Sequence, residues 1–411
     1  MDKISDVKSE NIPNKWRTLL LLSVAEFLAM AVWFSASSVV VPLTEAWGLD
    51  SNGQAWLTMS VQIGFVVGAL ISSVLTLADR IPAHILFAVS SISAGIMTAL
   101  IPLIADGLTL ALIFRFLTGL FLAGVYPVGM KIMTTWTRAD RGLGIGLLVG
   151  ALTLGSASPH LLNIFGGIGE WQPVLYLAAG LAIIGGVIGI AFIKEGPFKS
   201  PSPKFNLSDI RKILVDRDVM LANIGYLGHM WELYAMWAWI PSFILASYEI
   251  SGVAPEWASL LAFSVIGIGG LGSLIAGKLA DKVGRTTVTT VSLAVSGSCA
   301  VLIGQFFGGS PILVAGIALL WGFAVVADSA QFSACVTELC DRQYIGTALT
   351  LQTSMGFLLT LITIRALPSV ENAVGWEWAF AFLALGPIVG IWAMQILRKS
   401  PAKLKLAGGR G

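Results

Sequence analysis

GKLADKVGR, residues 277–285, lies between two long apolar runs, and its Leu279-Ala280-Asp281-Lys282 repeats Leu77-Ala78-Asp79-Arg80 from 202 residues earlier. The echo extends outward from there. Arg141 stands before Ile145-Gly146 as Arg342 stands before Ile345-Gly346, and Glu170-Trp171 has a counterpart in Glu377-Trp378. Two copies of one unit, joined end to end, account for a repeat at half the length of the chain.

Composition names the solvent of both copies. Of 411 residues, 56% are hydrophobic and 12% charged, and the mean hydropathy is +0.84. Soluble domains carry about a quarter charged residues, so this chain could not cover its own surface in water. A net charge of +2 leaves no basic face for nucleic acid. Cys299, Cys335 and Cys340 lack C-x-x-C spacing and cannot form a disulfide framework. The bilayer is the expected partner of most of the surface.

A membrane-crossing helix needs about 20 apolar residues. Twelve such runs are legible, near 18–42, 54–77, 84–105, 109–134, 143–165, 172–193, 219–246, 257–279, 287–307, 311–336, 346–366 and 377–397. The expected fold is all-α, with 1–193 and 218–411 as two six-helix bundles and 194–217 as the loop between them. On this count 23 of the 25 Lys and Arg fall on one side, which the positive-inside rule makes cytoplasmic, with both termini there. The exceptions, Arg115 and Arg365, lie inside spans. Trp47, Trp56, Trp171, Trp257, Trp376 and Trp378 gather at the opposite ends, where interfacial anchors belong.

The 277–285 stretch resembles the loop signature of the major facilitator superfamily, G-x-L-A-D-[RK]-x-G-R, and RFLTGLFLAGVYP, residues 115–127, resembles that superfamily's span 4 signature, which opens R-x-x-x-G. The first copy of the loop departs from the pattern, reading LTLADRIPA with Leu75, Pro82 and Ala83 where the family has Gly, Gly and a basic residue. The resemblance implies a secondary transporter, not an enzyme, whose halves rock around a substrate site at the repeat interface. It implies no cofactor, and partners limited to a small-molecule substrate, a proton or other coupling ion and the lipid of the cell membrane, with the chain acting as a monomer.

Subfamily marks are mixed. Nitrate/nitrite porters carry an Arg in spans 2 and 8, and this chain has none there. Drug antiporters carry a G-x-x-x-G-P-x-x-G-G pattern in span 5, whereas GALTLGSASPH has its Pro159 displaced. The Gly-rich span 5 and Trp-rich span 7 resemble the cyanate/nitrate-like anion porters of bacteria. A proton-driven efflux antiporter is the alternative, and a solute receptor without transport is a remote one, since no stretch is long enough for an output domain.

Loop chemistry follows from residue type. Asp281 and Asp79 can accept from amides at a neighbouring helix start, where the macrodipole favours an anion. Lys282, Arg285 and Arg80 supply counter-charge, and Gly284 permits the turn. These six are the expected conformational latch. Gly267-x-Gly269-x-x-Gly272 matches a dinucleotide fingerprint but sits inside an apolar span, where small residues serve close helix packing. Asn206-Leu207-Ser208 is a glycosylation sequon on the cytoplasmic side, so it should stay unmodified.

Ionisable groups within a span are functional candidates by default. Arg115 lies roughly 9 Å into span 4 and needs a buried counter-ion or an anionic substrate, unless it is a scaffold arginine tied to neighbouring carbonyls and a carboxylate. His229 and Glu232 share a face of span 7 in GYLGHMWELYAMWAWIP, near the bilayer midplane. They suit either a proton-coupling site or a neutral pair that packs two helices. Asp328, with Trp321 and Gln331, and Glu26, with Trp33, are further proton-coupling candidates. Trp33, Tyr126, Tyr226, Trp239 and Gln352 are the expected substrate contacts beside Arg115. A reporter active only in the cytoplasm should be active when fused after Arg217 or at the C-terminus and silent near Gly252; activity at Gly252 would overturn the span count.

Overall fold

A computed structural model of the chain describes residues 13–137, 141–166, 170–198, 206 and 209–411. Lys3, Lys8, Arg138, Lys199, Lys204 and the Leu207-Ser208 part of the sequon lie outside them. Among the described residues there are helices and no strands. Span 1 is Lys15–Met30 followed by a break and Val40–Trp47; spans 2 and 3 are Ser51–Val74 and Ala83–Ile104. Span 4 is Leu108–Leu122 with Tyr126–Thr134, and spans 5 and 6 are Arg141–Gly166 and Gln172–Phe192. Span 7 is Arg217–Ile250; span 8 is Pro255–Gly267 with Gly269–Val283; span 9 is Arg285–Leu302. Span 10 is Pro311–Ala327 with Ser329–Leu339, span 11 is Ile345–Val374, and span 12 is Trp376–Ala379 with Leu385–Lys399.

Ten of these, all but spans 1 and 7, are at once long and apolar enough to cross a bilayer unaided. Span 1 falls short because it is broken. Span 7 is 34 residues long but interrupts its apolar face with Asn223, His229 and Glu232, all buried inside the protein. Such a helix is tolerable in lipid only when its polar groups turn inward. Outward faces are apolar, as at Ile312, Leu313, Ile388 and Val389.

Within each half, helices approach until backbone meets backbone. A Cβ on Gly119 would overlap the Val61 carbonyl of span 2, and one on Gly64 the Phe116 carbonyl of span 4. In the other half Gly322 and Gly272 seat spans 8 and 10 in the same way, against the carbonyls of Val265 and Phe323. Gly269 abuts Val326, and Gly270 approaches Gly150 of span 5. The glycines of the dinucleotide-like pattern are therefore packing surfaces.

Span 1 breaks at residues 31–39, and the break frees backbone carbonyls that hydrocarbon cannot satisfy. Arg115 satisfies them. Fully buried, it donates from Nη1 to the Val32 carbonyl (2.8 Å) and Ser35 Oγ (3.3 Å), from Nη2 to the Trp33 carbonyl, and from Nε to the Leu57 carbonyl of span 2 (3.1 Å). No carboxylate pairs with it among the described residues. Of the scaffold set expected for this arginine, the carbonyls are present and the carboxylate is not found among the described residues. Gly119 and Ala123 continue its face onto span 2, and Pro127 opens the second segment of span 4.

The six tryptophans divide. Trp257 (61% exposed) and Trp378 are placed as interfacial anchors. Trp171 is buried edge-on against Trp47, with ring centroids 5.1 Å apart, and Trp376 packs on Phe243 and Phe380. Apolar burial of an indole stabilises more than interfacial exposure, so Trp47 and Trp171 join one apolar cluster and Trp376 and the partly buried Trp56 another.

Replacing Arg115 with Ala should leave the Trp33 carbonyl without a donor and the Val32 carbonyl with Ser35 Oγ alone, while the Leu57 carbonyl keeps its helical partner. At about 1–3 kcal/mol for each buried group left unpaired, the purified variant should melt at a distinctly lower Tm in detergent, and Arg115→Lys should fall between the two. An unchanged Tm in Arg115→Ala would mean that other donors serve the break.

Candidate functional site

Spans 1, 2, 7 and 11 converge where the halves meet, and they meet in aromatic rings. Trp33 of span 1 contacts Phe65 of span 2 (5.1 Å between centroids), Tyr234 of span 7 (6.1 Å) and Phe357 of span 11 (5.8 Å). Phe65 and Phe357 lie 4.8 Å apart, and Tyr234 is 4.9 Å from Phe357. One helical step from this layer, Thr360 donates to Gln62 Oε1 across the halves at 2.7 Å. Nearer the basic end Ser73 and Thr350 are 3.3 Å apart. Inside this region the Nε1 of Trp33, the Nε1 of Trp237 and the Nε2 of Gln62 are buried without a partner.

Tyr226 rests on Gly356 of span 11, beside His229. Tyr126, Tyr226 and Tyr234 lie close enough to interact electrostatically. The other expected contacts are engaged elsewhere. Trp239 donates from Nε1 to the Ile364 carbonyl at 3.0 Å, and Gln352 accepts from Ser333 at 3.2 Å, which leaves its Nε2 buried and unpartnered. Arg115 is a positioning residue for the Trp33 backbone.

Three ionisable side chains cluster within the second half. His229 Nδ1 is 2.8 Å from Asp328 Oδ1, and Asp328 stands at the break of span 10. Glu232 Oε1 accepts from Trp321 Nε1 at 2.6 Å and its Oε2 from Ser296 Oγ at 2.8 Å. His229 and Glu232, one helical turn apart, thus serve different neighbours. In the first half Glu26 is fully buried over Gly129 of span 4, and neither carboxylate oxygen has a partner. His160 is buried near the end of span 5, and Arg365 is exposed.

The two loop copies hold their charges differently. Asp79 pairs with Lys131 of span 4 at 2.5 Å, and Lys131 also donates to the Ala78 carbonyl; Arg80 is exposed. In the second copy Asp281 does not accept from helix-start amides as expected. Its side chain is 66% exposed and 3.7 Å from Arg285, because its helix ends with that face toward water. Arg285 instead forks onto Glu338 of span 10 (2.6 and 2.9 Å) and reaches Gln331 (2.8 Å). Lys282 is exposed, and Gly284 turns at φ +95° under the carbonyls of Arg410 and Gly411. The helix-start amides find other acceptors: Ala83 N–H donates to Glu195 (2.7 Å), and Thr286 N–H to the Gly411 carbonyl (3.2 Å). Between the halves Lys212 bonds to Tyr344 and to Asp209, each at 3.2 Å, and these hydrogen bonds, that to Tyr344 foremost, hold its ammonium above the usual lysine range.

Phe65, Phe357, Thr360, Ser296, Lys131 and Glu338 carry these contacts without having been singled out in the sequence. A weak signal existed for four of them. Phe65 follows Gln62 by three, Thr360 follows Phe357 by three, and Lys131 and Glu338 each match a charge in a loop copy.

The sequence profile of the Major Facilitator Superfamily matches residues 22–364. A probable nitrate/nitrite antiporter of Thermus thermophilus, NarK1, is 24% identical over 289 residues, covering 67% of this chain and 63% of that protein. The 4-hydroxybenzoate transporter PcaK of Pseudomonas aeruginosa is 27% identical over 189 residues, 43% of this chain and 39% of its own length. The matches thus span less than two thirds of these curated relatives. In fold, the chain is similar to the inward-facing, occupied crystal structure of a bacterial homologue of the lysosomal transporter Spinster, with a TM-score of 0.71 at 14% identity over 94% of this chain and 97% of that one. Twelve helices in two bundles, matched by the profile from span 1 into span 11, show that the chain belongs to the Major Facilitator Superfamily of membrane transporters.

Proposed function

We propose that this chain is a secondary active transporter that moves a small planar anion across the cell membrane by alternating access, driven by protons. Residues 1–193 and 218–411 are its two moving halves, 194–217 is the link, and both termini face the cytoplasm. The observation that carries this reading is the shared layer of spans 1, 2, 7 and 11. Its rings offer flat apolar surfaces, and three buried donors there, Trp33 Nε1, Trp237 Nε1 and Gln62 Nε2, have no partner among the described residues. Buried donors are costly unless a ligand accepts from them, and a planar anion supplies both a face and acceptors.

The two named relatives are assigned nitrate or nitrite and 4-hydroxybenzoate, which are flat anions of this kind. Spans 2 and 8 lack the paired arginines of nitrate/nitrite porters, which favours the aromatic acid over nitrate. Trp33, Tyr126 and Tyr226 are the contacts we assign, with Arg115 acting through the Trp33 backbone. A proton-driven cycle draws its titrating site from the buried set Glu26, His229, Glu232 and Asp328.

Purified protein in liposomes should accumulate at least one of nitrate, nitrite, 4-hydroxybenzoate and nicotinate when a pH gradient is imposed. Trp33→Phe, which keeps the ring and removes the N–H, should raise KM for that anion roughly tenfold with a smaller effect on maximal rate. Flux of all four no faster than in empty liposomes would sink the proposal.

A further inference from the structure

Glu232 and His229 sit one turn apart on span 7, yet their surroundings differ in kind. Both Glu232 oxygens are held by neutral donors, Trp321 Nε1 at 2.6 Å and Ser296 Oγ at 2.8 Å. An indole N–H donates and never accepts, so Oε1 keeps one role whether or not the carboxyl carries a proton. Glu232 is the centre of a closed cluster that joins spans 7, 9 and 10 inside one half.

His229 is only half committed. Its Nδ1 faces Asp328 Oδ1 at ion-pair distance, 2.8 Å, and among the described residues neither its Nε2 nor Asp328 Oδ1 has a hydrogen-bond partner. The rings beside it are Phe332 of span 10, 5.7 Å away, and Tyr226, 6.0 Å away. Tyr226 in turn rests on Gly356 of span 11, the helix that meets span 2 across the halves. Asp328 occupies the break between the two segments of span 10, so any change in the angle of that break moves its carboxylate. The pair therefore joins a break in one helix to the margin of the shared layer.

We propose that His229 and Asp328 together bind and release the coupling proton, and that Glu232 is a positioning residue that fixes span 7. This rests on the transport reading above. In the unloaded form a neutral imidazole faces the Asp328 carboxylate across 2.8 Å, and the pair carries one negative charge. Nε2 then takes a proton from hydronium on the side to which the halves are open, one O–H bond breaking as the N–H bond forms and water being left behind. The loaded pair is imidazolium and carboxylate with no net charge, a form that can cross a closed, low-dielectric stage at lower cost than a lone ion. When the halves open the other way, the same N–H bond breaks and the proton leaves to water there. Of the titratable groups nearby, Tyr226 lies beside His229 and faces Tyr126 of span 4, while Glu232 faces both Asp328 and Cys299 of span 9. Spans 11 and 12 press on this part of span 7 through Gly356, Gly386 and Gly390, which bring no ionisable side chain.

The chain has three histidines, so nitrogen-15 histidine labelling leaves three imidazoles to resolve by NMR. The His229 signals are those lost in His229→Gln or, should that variant not be recovered folded, those kept in a His84→Gln/His160→Gln double variant. They should convert between neutral and imidazolium forms as pH is varied. Asp328→Asn should displace that pH dependence by about one unit or more, and Glu232→Gln should leave it close to wild type. In liposomes loaded with nitrate or 4-hydroxybenzoate, Asp328→Asn should keep exchange and lose gradient-driven accumulation at least tenfold, while Glu232→Gln should lower both together, their ratio staying within twofold of wild type. Loss of accumulation in Glu232→Gln with accumulation kept in Asp328→Asn would reverse the roles. Wild-type protein that exchanges neither anion would remove the transport reading for this class, and the NMR would still decide the proton site. His229 signals indifferent to pH, or altered equally by both carboxyl variants, would overturn the inference.

Discussion

Hydrocarbon offers no hydrogen bonds, and the structure turns on how the backbone meets that constraint where span 1 breaks. The break places Trp33 and Phe34 on the line where the halves meet, but it also strips Val32 and Trp33 of their helical donors. A single guanidinium, with its donors fixed in one plane, repairs both carbonyls and that of Leu57. Lysine could not fork in this way. The cation is thus part of the scaffold that allows an irregular stretch at membrane depth, and the aromatic layer depends on it.

The two halves use one architecture for different chemistry. In the first, the buried charges are Arg115, spent on backbone, and Glu26, which has no partner. In the second, His229, Glu232 and Asp328 cluster between spans 7, 9 and 10. The loop copies differ as well: the first ties an aspartate to a lysine of span 4, the second an arginine to a glutamate of span 10.

Periodicity and charge made the twelve spans legible, because the bilayer imposes length and polarity on every one of them. The repeat at Asp79 and Asp281 made the division into two bundles legible for the same reason. What the sequence hid was direction around each helix. His229 and Glu232 lie a turn apart and share a face by spacing, but a rotation of one residue sends them to Asp328 and to Trp321 with Ser296. Asp281 carries the signature of a latch, yet the helix ends with its carboxylate in water. Phe65 and Phe357 look like two more apolar residues in apolar helices, and only the crossing of spans 2 and 11 brings their rings to 4.8 Å.

The contacts that join the halves along spans 2 and 11 are few and neutral: one amide–hydroxyl hydrogen bond, one pair of rings and one pair of hydroxyls. A hydrogen bond contributes about 1 kcal/mol net, and an aromatic pair about the same. Together they amount to roughly 2–3 kcal/mol, a preference of about thirty- to a hundred-and-fifty-fold for the joined arrangement. A bias of that size resembles the differential affinity of a modest ligand. Occupancy of the shared layer by a solute that binds one arrangement only tenfold better would already redistribute the population appreciably, without any ion pair having to be broken between the halves.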